Sequence, residues 1–250
     1  MNLYPLYKKK FHIVIFIFFV CSVSSYAQEK NYSSSQEVIK LYNKSQMFYS
    51  SNDEIINGCV YPLPNSRIKG NPYLEDQWTE ALLFVNNKKY TNLFIKYDLI
   101  IDDVILKADM GDGTKKFVNL NKFQVDSFII NNSCFINSRF SPLKDMKRNY
   151  YEKIYKGKYS LLKVYKKVFI KKYSNITPYG SYSAVKSYIY LCHNEQIRNV
   201  NRKSSFYKCF EEEKRSEIKS FIKKNNIKYR KATKIQLIEL MNYCSNLTSK

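Results

Sequence analysis

The chain has 250 residues and 44% hydrophobic content, enough for one sizeable core or for one domain with a small appendage. It carries 42 lysines and arginines against 21 acids, a formal charge of +21. Its 2 histidines and 6 glycines exclude a poly-histidine metal site and a glycine-rich phosphate loop.

The chain opens with an address. Lys8, Lys9 and Lys10 precede an apolar run from Phe11 to Val23, and Ser25-Tyr26-Ala27 makes a small-x-small cleavage site. That order predicts a secretory signal peptide over residues 1–27. The run is too short to cross a bilayer comfortably. Val20 stands before Cys21 where a lipoprotein signal has a small residue, which argues against lipidation. The expected location is therefore exported, either periplasmic or associated with the outer membrane. Removing the leader with its three lysines leaves 39 basic against 21 acidic residues, a balance of +18.

Asn31 to Ser35 reads as a polar lead-in. Val38, Ile39, Leu41 and Tyr42 then recur at helical spacing, predicting an N-terminal amphipathic helix up to about Phe48. From Glu54 the period changes to two, and Glu54 to Tyr61 reads as a strand. Thr79 to Val85 and Tyr90 to Tyr97 flank Asn86-Asn87-Lys88-Lys89, the clearest hairpin. Further strands are expected over 99–107, 116–120, 123–130, 133–137, 149–155, 159–170, 182–191 and 196–200.

After 201 the period is helical. Helices are expected over 204–210 and 211–224, the second with acids early and lysines late, matching its dipole. Thr233-x-x-Gln236 is a capping box before a last helix with Leu237, Leu240, Met241, Cys244 and Leu247 on one face. The expected fold is mainly β (α+β): an antiparallel sandwich, roll or half-open barrel of about ten strands. An N-terminal helix precedes it and a C-terminal helical end follows. Residues 28–200 form the β-rich domain with that helix, and 201–250 the helical segment packed on it.

Few residues offer chemistry. His193 would be the one histidine after the leader, and it falls at an expected hairpin tip beside Cys192. Cys59, Cys134, Cys192, Cys209 and Cys244 are widely spaced, with no CxxC, so they read as small buried side chains or as one or two disulfides. Asp98, Asp102, Asp103, Asp109 and Asp112 cluster in sequence. Paired carboxylates there would suit hydrolysis or calcium, but the spacing is not that of an EF-hand. No catalytic, cofactor-binding or metal site is assigned. The ligand-face candidates are Trp78, Tyr97, Asp98 and Asp102, because aromatic rings stack on sugar faces.

The order of several elements is suggestive. Asn57-Gly58-Cys59-Val60-Tyr61, Gly70-Asn71-Pro72-Tyr73-Leu74, Trp78, Lys89-Tyr90-Thr91-Asn92 and Tyr97-Asp98-Leu99-Ile100-Ile101-Asp102 follow one another. Together with a leader ending near Ala-Gln, this resembles a family of secreted, β-rich envelope proteins of Bacteroidota. The resemblance continues through Tyr150 to Gly157 into the lysine-rich end. It implies an envelope location and a β-rich fold. It implies no activity and no site residues.

The resulting expectation is an exported, non-enzymatic envelope protein that acts through another envelope component. The partner would be a protein or an anionic polymer, with peripheral membrane association as an option and nucleic acid argued against by export. One alternative is a binding module for an anionic or sugar polymer. Another is a hydrolase using Asp102 or Asp103. The basic balance can also follow from composition alone, since Lys, Asn, Tyr, Ile and Phe are all abundant.

Overall fold

The structure, a computed structural model, describes residues 58–110, 113–140, 148–194 and 196–248. The described residues all belong to one compact unit, Glu54–Lys250; the other unit, Met1–Asp53, lies outside them. So do the expected leader, the N-terminal helix, the start of the first strand and the Asp112 turn residue.

The chain is mainly β. An 11-stranded antiparallel sheet is followed by C-terminal helices. Its strands are β1 (Cys59–Val60), β2 (Thr79–Val85), β3 (Lys88–Asp98), β4 (Asp103–Asp109), β5 (Lys115–Asn119), β6 (Val125–Ile130), β7 (Ser133–Asn137), β8 (Tyr150–Tyr155), β9 (Ser160–Lys166), β12 (Lys186–His193) and β13 (Gln196–Asn199). Between β9 and β12 a small arm, β10 (Phe169–Ile170) and β11 (Ser181–Tyr182), forms a separate two-stranded ladder. The order β1-β5-β4-β3-β2-β6-β7-β8-β9-β12-β13 leaves β1 and β13 as open edges.

A two-sheet sandwich is therefore not what forms. β2 pairs with β3 on one side and β6 on the other, which joins all the hairpins into one ladder. The sheet has to curl. Only Leu120 to Gln124 connects β5 to β6, four strand spacings apart, a flat distance of about 19 Å. Five residues could span that only fully extended, yet the Gln124 N–H donates to the Asn121 carbonyl at 2.8 Å and folds the link into a turn. A bulge adds bend: Thr91 and Asn92 together oppose Leu82, with Asn92 at φ 57°.

Asparagine makes the tight turns. Asn86-Asn87 and Asn131-Asn132 all have positive φ, from 45° to 64°, as two-residue primed hairpins require. The first turn thus uses two residues, not the four expected. β4 begins four residues later than expected. Leu99 to Asp102 form its turn because the Asp98 Oδ1 accepts the N–H groups of Ile100 (2.8 Å) and Ile101 (3.3 Å).

Two cores fill the concave side. Tyr97, Phe128, Phe135 and Tyr150 centre the first, with Tyr97 edge-on to the other three at 5.5–5.7 Å. The second joins Ile154, Leu161 and Leu191 of the sheet to the helices α1 (Lys203–Tyr207), α2 (Glu212–Lys224) and α3 (Lys234–Thr248). Leu237, Leu240, Met241 and Cys244 of α3 are buried there, as their spacing predicts, and Leu247 is half-buried. The capping box is reciprocal. Gln236 N–H donates to Thr233 Oγ1 (3.2 Å) and Thr233 N–H to Gln236 Oε1 (3.1 Å).

Candidate functional site

Strand alternation sorts the four ligand-face candidates. In β3, Leu93, Ile95 and Tyr97 point into the curled core, while Phe94, Lys96 and Asp98 point outward. Tyr97 is therefore a core residue, 1% exposed, and its hydroxyl donates to Asp102 Oδ1 at 2.5 Å.

Asp102 is buried and takes up the left-handed conformation, φ 62°. The Arg148 guanidinium lies 3.1 Å from its Oδ1, and its Oδ2 accepts the Asn149 N–H. Asn149 Nδ2 donates back to the Asp102 carbonyl at 2.8 Å. Asp102 thus ties the β3–β4 turn to the start of β8. Burial raises its carboxyl pKa despite the Arg148 charge and the Tyr97 and Asn149 hydrogen bonds, each of which lowers it. Asp103 is also raised, again chiefly by burial, and accepts from Asn119 Nδ2 at 3.1 Å.

Asp98 is buried beneath a flap of chain. The Tyr61 hydroxyl donates to its Oδ2 at 2.6 Å, and the Tyr73 hydroxyl lies 3.4 Å from that of Tyr61. Pro72 to Leu74 clamp this corner by backbone bonds, with Leu74 N–H to the Tyr97 carbonyl and Leu99 N–H to the Pro72 carbonyl, both 2.9 Å.

Trp78 is different, because it lies half-exposed on the outer face. It stacks on Phe117 at 5.2 Å with planes 16° apart. Lys96 sits 4.3 Å from the Tyr73 ring centre and 5.2 Å from that of Trp78. Lys107 lies 6.0 Å from Trp78 and 5.9 Å from Phe94. Register makes this array. Glu80, Phe94, Lys107 and Phe117 are direct cross-strand partners on β2, β3, β4 and β5. Burial lowers the Lys96 pKa, with the Asp76 carboxylate opposing the shift. The arrangement offers aromatic planes interleaved with cations, suited to a ligand with anionic groups and flat ring faces.

Sequence reading found Trp78 but missed Phe94, Lys96, Lys107 and Phe117. The signal was present in the alternation of Phe94 and Lys96, which places both on one face. What places Lys107 and Phe117 beside them is strand register.

His193 stacks on Tyr159 at 4.2 Å, and its Nδ1 lies 3.0 Å from the Lys158 carbonyl. Cys192, its neighbour on β12, faces the opposite side and packs near Tyr151 and Leu162. Among the described residues none of Cys59, Cys134, Cys192, Cys209 and Cys244 is in a disulfide. Cys244 is buried against α2 and the sheet, and burial pushes its thiol pKa up to about 12. Among the described residues no group of three His, Cys, Asp or Glu side chains is placed to hold a metal, and no helix is long and apolar enough to cross a membrane.

No family model matches the chain, and neither a curated protein nor a solved structure does.

Proposed function

We propose that this is an exported, non-enzymatic envelope protein that acts by binding, and that its outer β2–β5 face takes an anionic sugar polymer. The observation that carries this is the Lys96–Trp78–Lys107 array, two cations within 6.0 Å of one half-exposed indole ring. Stacking on sugar rings uses an exposed aromatic plane, and attraction to uronate or sulfate groups uses cations beside it. The leader-like N-terminus, the +18 balance after it and the resemblance to secreted Bacteroidota proteins support the envelope setting.

The alternative of a hydrolase using Asp102 or Asp103 has less geometric support. Both Asp102 oxygens are engaged with Tyr97, Arg148 and the Asn149 N–H, and both Asp103 oxygens accept from the Asn119 and Asn149 amides.

Trp78 is the single tryptophan, so its fluorescence reports on this face directly. Titration with polygalacturonate in low salt should change that emission. The change should vanish in about 1 M salt, where screening acts beyond about 3 Å. It should weaken in Lys96→Gln and Lys107→Gln. An unchanged spectrum together with no calorimetric binding in low salt would refute the reading.

A further inference from the structure

The arm between β9 and β12 holds a fixed backbone and exposed side chains. Its backbone is tied down. Ser183 N–H donates to the Val168 carbonyl (2.9 Å), and Val168 N–H to Ser183 Oγ (3.0 Å). At the tip, Ser174 and Thr177 exchange backbone bonds at 3.1 and 3.3 Å, and Gly180 N–H donates to the Thr177 carbonyl at 3.1 Å. Gly180 has φ +84°, and a Cβ there would lie 2.6 Å from Phe169 Cζ. The base of the arm docks on the segment before β2: Tyr182 N–H donates to the Lys69 carbonyl (2.9 Å), and Arg67 Nη1 to the Tyr179 hydroxyl (3.1 Å).

Yet this fixed arm turns its apolar side chains to water. Ile176 is 80% exposed and Tyr173 61%, and Val168, Ile170, Tyr179 and Val185 are exposed with them. Clustered exposure of this kind marks a surface that meets a partner. Residues 168–185 hold two lysines and no aspartate or glutamate, and Lys171 and Lys172, both exposed, stand between Ile170 and Tyr173. Acids act at the base, where Asp76, Asp98 and Glu75 face Lys167. Tyrosine and aliphatic side chains at a tip beside two exposed lysines match the headgroup–acyl boundary of an anionic bilayer. An apolar protein groove would match Ile176 and Tyr173 equally well, but it would leave the exposed Lys171–Lys172 pair beside them unexplained.

We infer that the arm over residues 168–185 is a membrane-surface anchor that inserts Tyr173 and Ile176 at the interface of an anionic lipid leaflet. The attachment is peripheral, and the residues that make it are not those of the Trp78 face.

The test is flotation of the chain recovered from exporting cells, its N-terminus defined by mass spectrometry, with two vesicle types. One is phosphatidylglycerol mixed with phosphatidylcholine, the other phosphatidylcholine alone. The wild type should float with the anionic vesicles and not with the neutral ones. Tyr173→Ser/Ile176→Ser should lower that partition about tenfold, as should Lys171→Gln/Lys172→Gln. Both variants should melt at the wild-type temperature, because the side chains replaced are exposed, while Trp78→Ala should float as the wild type does. Undiminished flotation of Tyr173→Ser/Ile176→Ser would mean attraction by overall charge only and would overturn the anchor. Failure of the wild type to float with anionic vesicles would overturn it too, as would flotation lost only in Trp78→Ala.

Discussion

Lys234, the first residue of α3, places its ammonium 3.1 Å from Oε1 of Glu152, a carboxylate of β8 that is 2% exposed. The same oxygen accepts from Ser133 Oγ at 2.6 Å, and Oε2 accepts from the Tyr165 hydroxyl at 2.6 Å. Lys234 also donates to the Asn132 carbonyl at 2.9 Å. One buried charge thus links the β6–β7 turn, β8, β9 and the last helix. A buried carboxylate left without its cation is costly, whereas removing both partners is much less so. Lys234→Met should therefore destabilise the fold by about 2 kcal/mol. The double variant Glu152→Gln/Lys234→Met should regain part of that loss. Urea unfolding of the two single variants and the double one checks this, and strictly additive losses would contradict it.

The start of the same helix depends on a second device. Thr233 and Gln236 satisfy each other's backbone N–H groups. Thr233→Ala should cost about 1 kcal/mol in thermal or urea unfolding, and Thr233→Ser should cost much less.

Asp102 predicts a pH effect whose sign is definite. Burial raises its carboxyl above the ordinary 3.8, so the folded state holds the proton more tightly than the unfolded chain does. The stability it contributes is complete below the unfolded value and is lost as pH rises through the folded one. Asp102→Asn can keep the positive φ, since asparagine tolerates that conformation. Urea midpoints taken from about pH 4 to neutrality should show the wild type losing ground to Asp102→Asn. A gap that stays constant, or one that moves the other way, would show that Arg148 and the hydrogen bonds outweigh burial.

The β2–β3 turn gives a test of backbone conformation alone. Asn87 has φ 64°, and its N–H donates to Asp126 Oδ2 at 2.7 Å through the main chain. Asn87→Gly should leave stability unchanged or slightly raised. Asn87→Val should lower it by about 1–2 kcal/mol, because a β-branched side chain clashes in the left-handed region. Calorimetric melting of the pair decides the matter.

Much of this architecture was legible from local rules. β-rich and alternating runs marked β2, β3, β7 and most of β9, the Asn-Asn pairs marked the β2–β3 and β6–β7 turns, and Thr233-x-x-Gln236 marked the start of α3, because each rests on the conformations of a few adjacent residues; the strand expected over 159–170 breaks at Lys167 into β9 and β10. The boundary at Asp103 was not legible. Leu99, Ile100 and Ile101 look like strand residues, and only the Asp98 side chain folding back on their N–H groups makes them a turn.

Local pattern alone marked most of the element types, the apolar stripe of α3 and the Trp78 candidate. Strand order and register decided the rest. They made one curled sheet of strands that could equally have formed two. They turned Tyr97 and Asp102 inward, set Asp98 under Tyr61 on the outer side, and brought Lys96 of β3, Lys107 of β4 and Phe117 of β5 around Trp78. Period-two alternation says which residues share a face of one strand, but pairing between strands depends on how the whole apolar surface is buried, which no local window contains.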